Sequence, residues 1–480
     1  MVATFACVAV VACAAVASAS TSSSVHTFST PSTLPLRTGV MDPILFLGSQ
    51  QAQAFTTTRA TGATYVRLAA VWAQLAPATP SPAFHASDPT SIGYNWRPLD
   101  QEVRNAEHAG LAPIVDVGHP PRWALTAPVS GVDGGTPSTD DLGAFATALA
   151  QHYDGSHGAP AVHVFQVWNE PNLSRDLSPV DPSAYRGMVN AFAAAVHQVD
   201  PQNLVVAGAL DPFANSTSHW HTVAPLTFMR QLLCVSGGRR PHATCKTPVH
   251  FDVWSHHPYT FGGPFGKAKG KNDVSLGDLP KMTALLQTAE KLHRISSTHK
   301  VQFWVTEFAM DTNPPRVHNA LSLYLQSRAT AESLHQMWLS GVSLVTWFLL
   351  QDEPLNTPYQ SGLYYLDNPI ATAQPKPTLT AFSFPFVAYL GTGGDAGTVS
   401  VWGRDATSSP ALVTVQLGRS VTGHWKTVAR IRANRYGIFK ASLPLTATKR
   451  NWLRATVGSA PSLAFSLKRP VYPHYGPWGN

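Results

Sequence analysis

The sequence predicts an α/β protein: a (β/α)8 TIM barrel followed by a small C-terminal antiparallel β-sandwich. Three observations carry this. Eight short apolar runs of buried-strand type alternate with helical patterns over most of the chain. No Gly-rich phosphate turn follows the first run, which disfavours an open doubly wound sheet. The final stretch, residues 391–480, changes to short alternating runs separated by turn residues.

Taken in order, the chain opens with "FACVAVVACAAVA" and then "SAS". A 13-residue apolar run ending at Ala17-Ser18-Ala19 fits a signal peptide over residues 1–19 and is too short to span a bilayer. A tether through Cys13, in "VVAC", is the alternative to free secretion. Residues 20–37, rich in Ser and Thr, read as a flexible leader. The barrel is expected over residues 38–390. Its candidate strands are 43–48, 63–69, 111–118, 162–169, 203–210, 250–257, 301–308 and 342–350. Between them lie helical patterns such as "RPLDQEVRNAEHAG" and "LPKMTALLQTAEKLHR". With 13% charged residues and 39 prolines, the connections read as long ordered loops rather than disordered tails.

Two cysteines lie beyond the signal, Cys234 and Cys245. In an oxidising compartment they would close a loop, which contributes roughly 2–3 kcal/mol; two free thiols are the other reading. They lack the further partners of a zinc site.

Charge divides the chain. Residues 391–480 hold 12 Lys and Arg against 2 Asp and Glu, whereas residues 1–390 hold 22 against 25. That basic end is a candidate contact for an anionic cell-wall polymer or polysaccharide, with a solvated surface as the plainer reading. No recognition motif for nucleic acid accompanies it.

In a barrel of this kind the chemistry sits at the carboxyl ends of the strands. "VHVFQVWNEPNL" ends an apolar run on Glu170 and stops it with Pro171, and "VQFWVTEF" brings Glu307 near the end of another. A carboxylate is wasted at the tip of a buried strand. Two of them, meeting across one barrel mouth, are what glycosidic bond cleavage requires.

These contexts resemble the clan A retaining glycoside hydrolases, most of all family 39 and its family 5-like relatives. The likeness covers the barrel. It implies Glu170 as general acid/base, Glu307 as nucleophile, and Asn169 as the partner of the sugar 2-hydroxyl. It also places His257 at the site, with Tyr259 bonded to the nucleophile; both belong to "SHHPYT". Trp347, ending "SLVTW", resembles the floor under the sugar, a core Trp being the alternative. Arg67, in "YVRLA", matches an Arg that supports the nucleophile, or serves a structural ion pair. His119 and Trp123, in "VGHPPRW", are expected to meet a sugar hydroxyl and a neighbouring sugar face.

The resulting expectation is a secreted glycosidase that cleaves O-glycosidic bonds of a plant or microbial polysaccharide or oligosaccharide by double displacement. It needs no cofactor and no metal. Its partner is a carbohydrate, with no nucleic acid and no transmembrane segment. A transglycosylase that remodels cell-surface glycan would use the same residues, and a non-catalytic carbohydrate-binding barrel would lack either Glu.

Overall fold

The computed structural model describes residues 25–31, 33–127, 134–216, 220–405 and 410–476. The expected signal segment with Cys13 lies outside them.

Strand β1 (His26–Ser29) comes first, followed by β2 (Arg37–Met41), β3 (Tyr65–Val71), β4 (Ala112–Gly118) and β5 (Val164–Val167). Next come β6 (Leu204–Leu210), β7 (Val253–His256), β8 (Gln302–Phe308) and β9 (Val342–Phe348). Strands β2 to β9 close into a parallel barrel, β9 returning to pair with β2. The helices α1 (Gln51–Ala60), α2 (Arg97–His108), α3 (Thr139–His152) and α4 (Pro182–Val199) lie between its first strands. They continue with α5 (Pro225–Leu232), α6 (Leu279–Lys291) and α7 (Leu323–Leu339), and α8 (Pro377–Ser383) follows the last strand. Local chemistry sets several starts. Ser138, Asp181 and Ser322 cap α3, α4 and α7 by accepting from Asp141 N, Ser183 N and Leu325 N.

Residues 43–48, expected as the first strand, form turns instead. Asp42 organises them, its carboxylate accepting from Leu45 N at 2.9 Å and its carbonyl from Phe46 N at 3.0 Å. Pro43 also lacks the N–H that a ladder needs. The strand is the shorter run just before it.

The barrel is filled, not hollow. Ile114, Val164, Val206, Val253, Trp304 and Leu344 form a buried layer from six strands. The two-residue period of a strand then dictates what points inward above that layer. Asp116, Gln166, Ser255 and Thr306 come next, and Phe348 higher on β9. The contact of Ser255 Oγ with Thr306 Oγ1 at 2.6 Å agrees with this layering.

Beyond the barrel follow β10 (Phe386–Leu390), β11 (Thr398–Arg404), β12 (Leu412–Gly418), β13 (Trp425–Arg432), β14 (Ile438–Pro444) and β15 (Trp452–Val457). One sheet runs β10–β11–β14 and the other β1–β13–β12–β15. Strand β1 therefore comes from the expected leader and β10 from the expected barrel segment. Arg404, fully buried, ties the sheets to the barrel by donating to Leu36 O and Thr38 Oγ1. Cys234 and Cys245 form a disulfide with Cα atoms 5.5 Å apart. Among the described residues no helix is long and apolar enough to cross a membrane.

Candidate active site

The turn after β5 explains why a strand ends on a carboxylate. Trp168 and Glu170 both take positive φ, 72° and 39°, a conformation that costs about 1–3 kcal/mol per non-glycine residue. Hydrogen bonds to both flanking strands hold it. Trp168 N donates to Val117 O at 2.9 Å, and Glu170 N donates to Ala209 O at 3.1 Å. Pro171 then prevents the strand from continuing.

Glu307 reaches the cavity by a different device. Trp304 and Thr306 point inward, so simple alternation would send residue 307 outward. Between Val305, opposite Val345, and Phe308, opposite Trp347, the ladder gains one residue. This bulge re-aims the chain, and Glu307 joins the cavity wall.

A carboxylate oxygen of Glu170, one of Glu307 and a ring nitrogen of His257 all lie within 4.8 Å of one another. Arg67 is the hub around them. Its Nη1 donates to Glu307 Oε2 at 2.9 Å, and its Nη2 to Asp116 Oδ2 and Asn169 Oδ1, both at 2.7 Å. Gln166 Nε2 donates to the other oxygen of Asp116 at 2.8 Å. Tyr259 OH donates to Glu307 Oε1 at 2.7 Å. His257 bridges Glu170 Oε1 at 3.0 Å and Thr306 Oγ1 at 3.1 Å. Arg175 Nη2 lies 3.5 Å from Glu170 Oε2 and 3.3 Å from Asp176 Oδ2.

The two carboxyls are driven apart electrostatically. Burial, then repulsion from Glu307 and Asp176, raises the Glu170 pKa well above the usual carboxylate range. Burial would raise Glu307 as well, but His257, Arg67 and the Tyr259 hydrogen bond together hold it low. Because burial also pushes His257 down to about 4, its ring is neutral at pH 7. Arg67 and Tyr259 therefore carry the effect there. Asp211, which follows β6, is pushed up to about 8 by burial and by Glu170.

The trio Glu170, His257 and Glu307 is the group of potential metal ligands among the described residues. Its atoms are already engaged by Thr306, Tyr259 and Arg67, and a buried guanidinium beside Glu307 opposes a second cation.

The structure brings Glu170, Glu307, Asn169, His257, Tyr259 and Arg67 together. His119, exposed, lines a cavity of about 150 Å³ together with Glu307, Asn169 and Arg67. Trp123 does not line it: its Nε1 donates to Pro77 O at 2.7 Å and its ring meets Trp72 and Phe84 edge-on. Trp347 is a correction. Alternation turns it outward, where it is 1% exposed, packs on Phe382 of α8 and donates to Ser361 O. The inward position belongs to Phe348, whose ring meets Tyr359 edge-on at 5.2 Å. Tyr359 itself lies close enough to feel the charges of Glu307, Arg175 and Glu170.

Asp116, Gln166, Arg175, Asp176, Asp211, Thr306, Phe348 and Tyr359 were missed. For Asp116 and Gln166 a signal existed, since each interrupts an apolar strand at even spacing from an inward residue. Arg175 and Tyr359 come from loops and carry no such signal. A larger cavity, about 270 Å³, lies between α7 and the C-terminal sheets. Its lining holds no carboxylate, so the smaller, charged cavity is the candidate site.

The family model described as Cellulase (glycosyl hydrolase family 5) matches residues 23–349. No curated protein matches the sequence. Among solved structures, a family 39 glycoside hydrolase from Bacteroides cellulosilyticus WH2 is similar with a TM-score of 0.51 at 16% identity, over 88% of this chain and 81% of that one. A monomeric beta-xylosidase from Caulobacter crescentus CB15 is similar with a TM-score of 0.51 at 15% identity, over 89% and 98%. A glucosidase from Croceicoccus marinus gives 0.51 at 12%, over 90% and 96%. These likenesses speak for the fold. Taken with the match over most of the barrel, the chain belongs to the Cellulase family, glycosyl hydrolase family 5, and is a glycosidase of clan A.

Proposed function

We propose that the protein is a secreted retaining glycosidase, with Glu307 as nucleophile and Glu170 as general acid/base. The observation that carries this is the pair itself: carboxylate oxygens within 4.8 Å, with Glu170 pushed above the usual carboxylate range and Glu307 held below it. Retaining enzymes hold their carboxyl groups about 5–5.5 Å apart, whereas inverting ones leave room for a water.

Glu307, fixed by Arg67 and Tyr259, attacks the anomeric carbon while Glu170 gives its proton to the leaving oxygen. The Glu170 carboxylate then takes a proton from the water that releases the sugar. Asn169 accepts from Arg67 through Oδ1, which orients its amide N–H groups toward a sugar 2-hydroxyl. The substrate is an oligosaccharide or polysaccharide of plant or microbial origin. The export-type N-terminus and the Cys234–Cys245 disulfide support secretion, and the basic C-terminal region suits an anionic glycan.

The test is the anomeric form of the first product, followed by NMR during hydrolysis of an aryl glycoside. Retained configuration, together with covalent trapping of Glu307 by a 2-fluoro sugar, is the expected result. Inverted product would overturn the assignment.

A further inference from the structure

We propose that the solvent face of the β1–β13–β12–β15 sheet is a second carbohydrate site that takes an anionic polysaccharide strand, its carboxylates on Arg454, which Trp425 backs, and a sugar face against Trp452. The register defines this face. Trp452, Gly418 and Trp425 sit in one row across β15, β12 and β13, and Arg454, Gln416 and Thr427 in the next. Beyond them Thr456, Thr414, Arg430 and Thr27 are aligned, then Leu412, Arg432 and Ser29. The alternate residues, Leu453, Ala455, Val413, Val415, Ala429 and Ile431, are buried. One face is core; the other offers two half-exposed indoles and three arginines, and no carboxylate.

The details are those of a built surface. A Cβ on Gly418 would lie 2.9 Å from Trp425 Cε3, so the indole rests on bare backbone that only glycine permits. The Arg454 guanidinium carbon lies 4.4 Å from the Trp425 ring centroid, and its Nε donates to Gln416 Oε1 at 2.7 Å. Ring and amide hold the group in place. Its two terminal nitrogens make no hydrogen bond or ion pair among the described residues. A planar fork held in this way matches a carboxylate bidentately. Trp452 continues the aromatic surface toward Tyr324 of α7, 44% exposed, with ring centroids 6.4 Å apart. The excess of 12 basic over 2 acidic side chains in residues 391–480 draws a polyanion to this end of the molecule.

The proposal rests on the carbohydrate reading of the barrel, so binding and turnover are measured separately. The full chain is run in native gels containing polygalacturonate, the same polymer with its carboxyls reduced, or dextran sulfate. Turnover is followed on an aryl glycoside. Retardation by polygalacturonate and none by the reduced polymer is expected. Arg454→Gln and Trp452→Ala should each weaken retention about tenfold with unchanged turnover and thermal midpoint. Arg454→Lys, which keeps charge but loses the fork, should fall between. Glu307→Ala should be inactive yet retained, which separates failure of this site from failure of the barrel assignment. Wild-type retention by Arg454→Gln would overturn the proposal. So would equal retardation by dextran sulfate that ignores Trp452→Ala, since that is bulk charge alone.

Discussion

Tyr259 donates its hydroxyl proton to Glu307 Oε1 across 2.7 Å, while the other carboxylate oxygen is held by Arg67. The phenol is itself buried, and burial followed by the Glu307 charge keeps it firmly protonated. It is therefore a permanent donor. Tyr259→Phe removes one hydrogen bond to a charged group, worth about 1.5–3 kcal/mol, and leaves packing nearly intact. Turnover should fall about 10–100-fold, and the acid limb of the pH profile should move up as Glu307 becomes easier to protonate. An unmoved acid limb would contradict the role given to this bond.

The pH profile should be a bell. Its acid limb reports Glu307, held low, and its alkaline limb reports Glu170, raised by burial and by Glu307. Glu170→Gln removes the group that loses its proton on the alkaline side. With a good leaving group that needs no acid, this variant should keep the first step and lose the alkaline limb. Steady-state rates across pH on two aryl glycosides of different leaving-group acidity would check it.

Much of this arrangement was legible in the sequence, for physical reasons. Buried parallel strands are apolar on both faces, so seven of the eight barrel strands stood out as runs. The first did not: "RTGV" is short and polar, and the more apolar "PILFLG" beside it is tied into turns by Asp42. Glu170 was legible because Pro171 marks a strand end. Glu307 was legible by context alone, for its inward aim comes from a bulge that no local pattern announces. The same kind of slip misled the reading of Trp347. Counting in twos from Leu344 leads to Phe348, and only the register of β9 makes that count decisive.

Phe348 and Trp347 therefore offer a paired test. Trp347→Ala opens a hole between β9 and α8 and should cost about 3–5 kcal/mol of stability, read as a lower thermal midpoint, with KM little changed in the surviving folded enzyme. Phe348→Ala removes the ring that meets Tyr359 at the mouth and should raise KM more than it lowers the midpoint. The opposite pattern would restore Trp347 to the site.

Glu102 of α2 is buried, and burial alone raises its pKa to about 8. The sign follows from linkage. Between the ordinary carboxylate value and about 8 the folded state holds a proton that the unfolded chain releases, so stability falls as pH rises through that window. Glu102→Gln abolishes this loss. Its thermal midpoint should match the wild type near pH 4 and exceed it by a widening margin up to pH 8, worth a few kcal/mol by the ~1.36 kcal/mol per pKa unit relation. A constant difference at all pH values would show that Glu102 does not titrate between the two states.

Asp116 and Glu307 share one guanidinium, and the Glu307 charge adds to burial in raising the Asp116 carboxyl. Burial raises the Asp116 carboxyl and Arg67 opposes that rise; where Asp116 is ionised, Arg67 divides its charge and Glu307 stays more basic. Asp116→Asn keeps shape and the possibility of an oxygen facing Arg67, yet removes that competing charge. Arg67 then serves Glu307 alone. The Glu307 pKa should fall, the acid limb of kcat/KM should move to lower pH, and plateau turnover should drop because a less basic carboxylate is a weaker nucleophile. Asp116→Ala differs in kind: it leaves Arg67 Nη2 and Gln166 Nε2 each short of a buried acceptor, so it should lose stability as well. Two pH profiles and two melting curves separate these outcomes, and an acid limb that rises in Asp116→Asn would mean that Asp116 acts by placing Arg67 rather than by sharing its charge.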